Sequence, residues 1–320
     1  MKTLRPIPLA DIQAARARLA GTVLHTPLVR LNAPDMPAEV YLKLENLQPV
    51  GSFKIRAAGN AMLSVDPARL ADGVWTVSAG NMALAVVWFA HLLNLTCTAV
   101  VPEDAPAAKL AALRRSHARI ITVPFADYQS IQRTHAYPGM PGLLIHPFAD
   151  PAVMAGDGTL GLEILEDLPD VDAILVPYGG GGLSCGIASA VHAVNPRVKV
   201  FAVEVTSGAP LTASLAAGHP VEVPYAASFV SGIGAPFTFP EMWPLASRIL
   251  DGAFAVELAQ VAEAVRLQVE WNHVVAEGAG AVALAAALGG KAGGGKIVCL
   301  VSGGNLDSNK LVMILNGSVP

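Results

Sequence analysis

Short apolar runs of strand character alternate with longer apolar stretches of helical length along most of the chain. The strand-like runs are VYLKLE (40–45), VWTVS (74–78), TCTAVV (96–101), RIITV (119–123), AILVP (173–177), VKVFAVEV (198–205) and KIVCLVS (296–302), and the segments between them are rich in Ala, Leu and Val. Strands that are apolar at nearly every position and separated by helices mark sheets buried on both faces, which is the habit of parallel strands. The pattern predicts an α/β fold with two lobes, each a mostly parallel sheet flanked by helices. The segment Tyr128–Gly142, YQSIQRTHAYPGMPG, is polar and turns Pro/Gly-rich, and it predicts a lobe boundary between an amino-terminal and a carboxy-terminal group of units. No repeat of fixed period is visible, and GGKAGGG (289–295) predicts a flexible surface loop.

Composition narrows the possible functions. A chain of 320 residues is too long for one small core. Its hydrophobic fraction of 53% and mean hydropathy of +0.49 would suit a membrane protein if the apolar residues were contiguous. The longest such runs, Val86–Leu95 and Ala279–Leu288, are about ten residues and so far short of a bilayer span. They predict buried helices, and the apolar excess implies surface hidden between layers or against a second subunit. The amino terminus, MKTLRPIPLADIQ, holds no sustained apolar segment of signal-peptide length, so the cytoplasm is the expected location. Cys97, Cys185 and Cys299 are far apart and odd in number, which predicts buried thiols and neither a disulfide framework nor a metal site. A net charge of −4 without a basic cluster argues against nucleic acid and for a small-molecule ligand.

The candidate chemistry begins at Lys54 in GSFKIR (51–56). A lysine one step after an aromatic, at the head of an apolar helical stretch, has a partly desolvated amine that is suited to forming a Schiff base with an aldehyde. Three glycine-bearing elements then fall where strands end, the edge at which open α/β sheets bind ligands. SAGN (78–81) precedes a helix expected over Met82–Asn94 and offers backbone N–H groups to a carboxylate, although Ser and Asn also cap helices that bind nothing. YGGGGLSCG (178–186) carries four successive glycines, whose backbone entropy cost is offset if their N–H groups close around a phosphate. It fits neither a dinucleotide fingerprint nor a P-loop, which leaves a phosphate monoester. VSGGNLD (301–307) ends an apolar strand, and Ser302 there could hydrogen-bond a ring nitrogen.

Other polar groups carry blander expectations. His25, His146 and His273 show no ligand spacing and are expected in turns or the core. Glu163 and Glu166 are expected on a solvated helix face, and Ser184 lacks the nucleophile-elbow pattern.

In order and spacing, these elements resemble the fold type II pyridoxal phosphate enzymes, most closely the threonine and serine dehydratase branch, over nearly the whole chain. The resemblance is carried by HTPLVRL (25–31), KLENLQPVGSFKIRAA (43–58), SAGN, PEDAPAAKLAALR (102–114), HPF and DP ahead of GTLGLEIL (146–165), GGGGL (179–183), EVTSGAPLTASLAAGHPVEV (204–223), VVAEGAGAVALAA (274–286) and SGGN (302–305). It implies pyridoxal 5'-phosphate as cofactor, with Lys54 as its covalent anchor and catalytic base. Phe53 then packs on the cofactor ring, Asn81 contacts its phenolic oxygen, Gly179, Gly180, Gly181 and Gly182 hold its phosphate, and Ser302 faces its pyridine nitrogen. Ser78, Ala79, Gly80 and Asn81 bind the amino acid substrate, and Glu277 lines the site. Residues 1–50 and 147–320 are expected to form a large cofactor-binding domain, and residues 51–146 a small mobile one that closes over the substrate. The implied enzyme is a homodimeric carbon-nitrogen lyase that turns L-threonine or a related L-β-hydroxy amino acid into a 2-oxo acid and ammonia. A neutral Ser302 at the ring nitrogen favours prompt elimination over transamination.

Departures from the family pattern sharpen the expectation. Relatives that racemise their substrate carry a second serine where this chain has Ala79, so racemisation is not expected. Met82 replaces a frequent His and Asp157 a frequent neutral amide, and both are expected to alter the substrate pocket. Pro210 stands where metal-dependent relatives carry an Asp, so no divalent site is expected, while a monovalent ion stays open. Residues 128–143 are shorter than in typical threonine dehydratases, and the chain stops at Pro320, so isoleucine feedback is not expected. The alternatives are a dehydratase of phenylserine, 3-hydroxyaspartate or a product of hydroxylated compatible-solute breakdown, a serine racemase, a β-replacement enzyme, or a ligand-sensing protein on the same scaffold. SAGNM lacks the TSGNTG-type block usual in β-replacement, and an intact Lys54 speaks against a mere sensor.

Overall fold

Ten strands make two sheets among the residues that the computed structural model describes, which are 4–33, 36, 38–105 and 107–320. Residues 1–3 of the expected non-signal amino terminus, and Pro106 in the PEDAPAA block, lie outside the described residues. The larger sheet runs β1 (Leu28–Arg30), β2 (Glu39–Leu44), β10 (Lys296–Val301), β7 (Ala173–Pro177), β8 (Lys199–Val205) and β9 (Gly252–Val256). Only its edge strand β1 is antiparallel to its neighbour. The smaller sheet, β5 (Arg119–Val123), β4 (Cys97–Pro102), β3 (Val74–Val77) and β6 (Leu143–Leu144), is parallel throughout.

Helices cover both sheets, as strands with two apolar faces require. Along β7 and β10 successive side chains point to opposite faces. Ile174, Val176, Val298 and Leu300 enter one core with α6 (Pro151–Asp167), α7 (Gly182–Val194) and α9 (Trp243–Ile249), while Leu175, Cys299 and Val301 enter another with α10 (Leu258–Asn272) and α11 (Gly278–Leu288). The smaller sheet packs α2 (Lys54–Leu63) and α3 (Asn81–Leu92) through Ile55, Ala58, Val86 and Phe89. Its other residues, Trp75, Val77 and Val100, meet Ile131 of α5 (Phe125–Thr134), and Ala99 and Val101 meet Leu113 of α4 (Ala107–Arg115). α1 (Leu9–Leu19), α8 (Pro210–Ala217) and α12 (Ser308–Leu315) complete the set.

Several expectations need correction. The edge strands β1, β6 and β9 were not visible in the apolar pattern, because three residues, two residues and a half-buried GAFAV run carry little burial signal. The stretch Tyr128–Gly142 is helical as far as Thr134, since its polar residues are the outer face of α5, and only its Pro/Gly-rich end is a loop. Met82 is 2% exposed and belongs to the apolar core shared by α2 and α3. Glu163 is buried, unlike its neighbour Glu166 at the surface, because Lys43 and Arg56 reach it from inside.

Candidate active site

Two loops zipped together set the position of Lys54. The backbone N–H of Phe53 donates to the Ser302 carbonyl at 3.0 Å, the Gly304 N–H donates to the Gly51 carbonyl at 2.9 Å, and Ser52 and Gly303 form an isolated antiparallel bridge. The turn at the end of β10 therefore carries Ser302, itself 3% exposed, beside the first turn of α2. Lys54 opens that helix and Phe53 precedes it as a buried residue, with the lysine amine 4.8 Å from the phenyl centroid. The amine donates to the Pro147 carbonyl at 2.5 Å. Burial lowers its proton affinity, and the Asp157 carboxyl opposes that shift.

The four glycines join β7 to α7. Gly181 has φ +90°, a left-handed conformation that strains any residue with a Cβ, and as the N-cap of α7 it supplies no side-chain cap. The first N–H groups of α7 are thus left for an anion. A Cβ at Gly180 would lie 2.2 Å from the Phe148 ring, so the loop lies flush on the HPF segment whose Pro147 carbonyl holds Lys54. The glycine run therefore has a packing cause beside any phosphate-binding one. An uncapped helix start and a desolvated lysine fit the phosphate of pyridoxal phosphate, which needs N–H donors, and its aldehyde, which needs an amine.

SAGN sits between β3 and α3, with Ser78, Ala79 and Gly80 partly exposed. The Ser78 hydroxyl accepts the Gly80 N–H at 3.2 Å, and α3 starts without a side-chain cap. Asn81 is the first helical residue, and its amide is held at both ends, with one N–H left free for a ligand. It donates to Glu277 Oε1 at 2.6 Å and accepts from Asn305 at 2.9 Å, and Asn305 also donates to the Val50 carbonyl at 2.9 Å. Burial pushes the Glu277 carboxyl up to about 7, against the Asn81 bond and the charge of Lys109. The Lys109 amine lies 4.0 Å from where a Cβ on Gly80 would stand and donates to Ser231 at 3.0 Å, which bridges α4 to the loop before α9.

The structure thus gathers Phe53, Lys54 and Ser302 on one side and sets the glycine loop and the SAGN segment near them through Pro147, Phe148 and Glu277. Sequence reasoning missed Lys109, Asn305, the Pro147 carbonyl and the charge that the buried Asp157 exerts on Lys54. Lys109 and Asn305 lay inside quoted motifs without a polar pattern of their own, and a backbone carbonyl leaves no trace in sequence. Glu204, six residues before Pro210, accepts from Leu211 N, Thr212 N and Thr212 Oγ at 3.0, 2.7 and 2.7 Å and so caps α8. Among the described residues no three His, Cys, Asp or Glu side chains converge as metal ligands would.

A family model described as pyridoxal-phosphate dependent enzyme matches residues 19–303. The L-threonine ammonia-lyase of Geobacter sulfurreducens is 38% identical over 314 residues, covering 97% of this chain and 78% of that protein. Among solved structures, maize serine racemase superposes with a TM-score of 0.86 at 31% identity over 97% of each chain. The tomato (Solanum lycopersicum) threonine deaminase isoform 2, in its processed form, does so at 0.84 and 29% identity, covering 97% of this chain and 86% of its own.

Proposed function

The chain belongs to the pyridoxal-phosphate dependent enzymes, and we propose that within them it is an ammonia-lyase that converts L-threonine or a related L-β-hydroxy amino acid to a 2-oxo acid and ammonia by α,β-elimination. The observation that carries this reading is the Lys54 amine, desolvated and held at the Pro147 carbonyl beside a glycine loop that starts an uncapped helix. Likeness to a threonine ammonia-lyase and a threonine deaminase supports the substrate class. Bound pyridoxal phosphate would supply the aldehyde that captures the substrate amine and the electron sink for charge at the α-carbon.

The chain's own groups have distinct parts in this reading. Gly179, Gly180, Gly181 and Gly182 with the first N–H groups of α7 hold the phosphate, and Phe53 and Ser302 flank the ring. Asn81 orients the phenolic oxygen and is itself fixed by Glu277 and Asn305. Ser78, Ala79 and Gly80 with the start of α3 receive the substrate carboxylate. Lys54, once free, takes the α-proton as general base. Ala79 has no proton-accepting group, so proton transfer occurs on one face and elimination outruns racemisation. Residues 51–146 act as the smaller domain that closes over residues 1–50 and 147–320 and excludes water. No helix among the described residues is long and apolar enough to cross a membrane, and a cytoplasmic homodimer, burying exposed residues such as Leu47, Val275 and Val312, belongs to the same reading.

A second reading, serine racemisation, is favoured by the similarity to maize serine racemase. The deciding experiment incubates the purified holoenzyme with L-threonine, L-serine, 3-hydroxyaspartate and phenylserine and follows 2-oxo acid, ammonia and the D-isomer. Keto acid release without D-isomer is expected, and D-isomer in excess of keto acid overturns the assignment. Loss of the cofactor absorbance band in Lys54→Ala is expected alongside.

A further inference from the structure

Asp157 lies in the middle of α6, fully buried, and neither of its carboxyl oxygens has a hydrogen-bond partner in the protein. A carboxyl so placed loses its hydration without a replacement, which is costly unless it is neutral or faces a charge. It cannot move to find one. On either side of it, a Cβ at Gly156 would stand 2.3 Å from the Arg56 carbonyl and a Cβ at Gly158 would stand 2.9 Å from the Gly186 carbonyl, so the helix is wedged between α2 and α7.

The groups facing Asp157 can be enumerated. The charges that act on Asp157 are Lys54 and Arg56 of α2, whose first turn lies against α6 at Gly156, and Glu45 from the turn after β2, none of them in hydrogen-bond contact with its carboxyl. α7 presents Gly186, which has no side chain, and α1 presents the apolar Ile12 to the adjacent Gly158. Arg56 is already committed, since its guanidinium donates to Glu45, Glu163, Thr159 and the Leu24 carbonyl. Glu45 is an anion and repels. His146 faces Lys54 but is held neutral, because burial pushes it down to about 3. Lys54, whose amine has one partner in Pro147, is the remaining cation.

We infer that Asp157 is a positioning residue for Lys54, a buried counter-charge that governs how tightly the lysine nitrogen holds a proton. The inference rests on Lys54 being the cofactor lysine and base. When the α-carbon–hydrogen bond breaks and the new Nζ–H bond forms, an ionised Asp157 stabilises the ammonium produced. When Asp157 carries a proton, that stabilisation is absent and the nitrogen releases its proton more readily. Burial pushes the Asp157 carboxyl up to about 7, so the exchange between the two regimes falls near neutral pH.

The test is a pH titration of the cofactor absorbance in the holoenzyme, wild type against Asp157→Asn. The neutral amide removes a negative charge, so the midpoint is expected to move to lower pH by about half a unit or more, about a threefold loss in proton affinity. An unmoved midpoint overturns the proposal. Should the variant fail to fold, infrared titration of the protonated carboxyl in wild type and Lys54→Met provides the same test. Loss of the cation is expected to raise the Asp157 midpoint by a similar amount, and equal midpoints overturn the proposal. A wild type that binds no cofactor would instead overturn the functional reading, whereas a normal cofactor band with unmoved midpoints removes only the role of Asp157.

Discussion

Arg56 and Glu163 meet in a two-pronged ion pair inside the protein, Nη1 to Oε1 at 2.6 Å and Nη2 to Oε2 at 2.9 Å. The same guanidinium donates to Glu45 from Nε and Nη2 at 2.9 Å each, so one cation joins α2 and α6 to the turn after β2. Arg56 is two residues beyond Lys54. The pair therefore anchors the helix that presents the lysine, and its charges hold the guanidinium proton more tightly than usual.

Removing one partner of a buried pair costs about 3–5 kcal/mol when the other is left uncompensated, and here Glu45 still holds Arg56 and Asp167 still holds Lys43, so the low end, about 3 kcal/mol, applies. Glu163→Ala is expected to show a loss of that size in urea unfolding, and Glu166→Ala, at the surface, about 1 kcal/mol or less. Equal effects of the two would mean that the buried network carries no special weight.

The glycine loop gives a second expectation. Gly180→Ala forces a Cβ into the Phe148 ring, and overpacking of this kind costs about 1–3 kcal/mol. Gly181→Ala meets a different obstacle, the φ of +90°, at about 1–2 kcal/mol. Both displace the N–H groups of α7, so cofactor affinity measured by equilibrium dialysis should fall in each. Unchanged affinity in both variants would remove the loop from the cofactor site.

Much of the fold and site was legible because burial leaves a mark in sequence. The central strands β7, β8 and β10 are apolar on both faces and read as strands within a residue or two of their bounds, whereas the half-exposed β9 and the short β1 and β6 carried no such mark. Lys54, SAGN and the glycine loop stood out because each breaks an apolar run at a strand end or helix start. Glu163 and Asp157 could not be read, because an acidic residue in a helix looks the same whether it faces water or a buried cation. Only packing of α6 against α2 distinguishes them.

Lys109 lies beside Gly80 and donates to Ser231 at 3.0 Å. Burial makes its ammonium easier to deprotonate, and Glu277 counters this. Lys109→Met keeps the apolar stem and deletes the charge beside the segment assigned to the substrate carboxylate. KM for the amino acid is expected to rise about tenfold with a smaller change in kcat, the signature of lost ground-state binding. A fall in kcat at constant KM would assign Lys109 to the chemical step instead.

Glu277 gives the protein a pH dependence of stability in the absence of cofactor. Its carboxyl is raised from 4.5 to about 7 in the folded chain, chiefly by burial, so the folded state binds the proton more tightly than the unfolded state. A raised carboxyl contributes stability that is complete below about 4.5 and is lost as pH rises through 7, a span worth on the order of 3 kcal/mol. Asp157, raised from 3.8 to about 7, acts in the same direction over the same window. The cofactor-free protein should therefore unfold at lower urea concentration at pH 8 than at pH 5. Glu277→Gln keeps an oxygen for the Asn81 amide and removes the ionisation, so most of the slope between these pH values should disappear, because the buried His146, pushed down to about 3, gains stability as pH rises through 6.5 and offsets much of what Asp157 loses. A slope equal to that of the wild type would show that Glu277 stays ionised in the folded chain and that the Asn81 bond outweighs its burial.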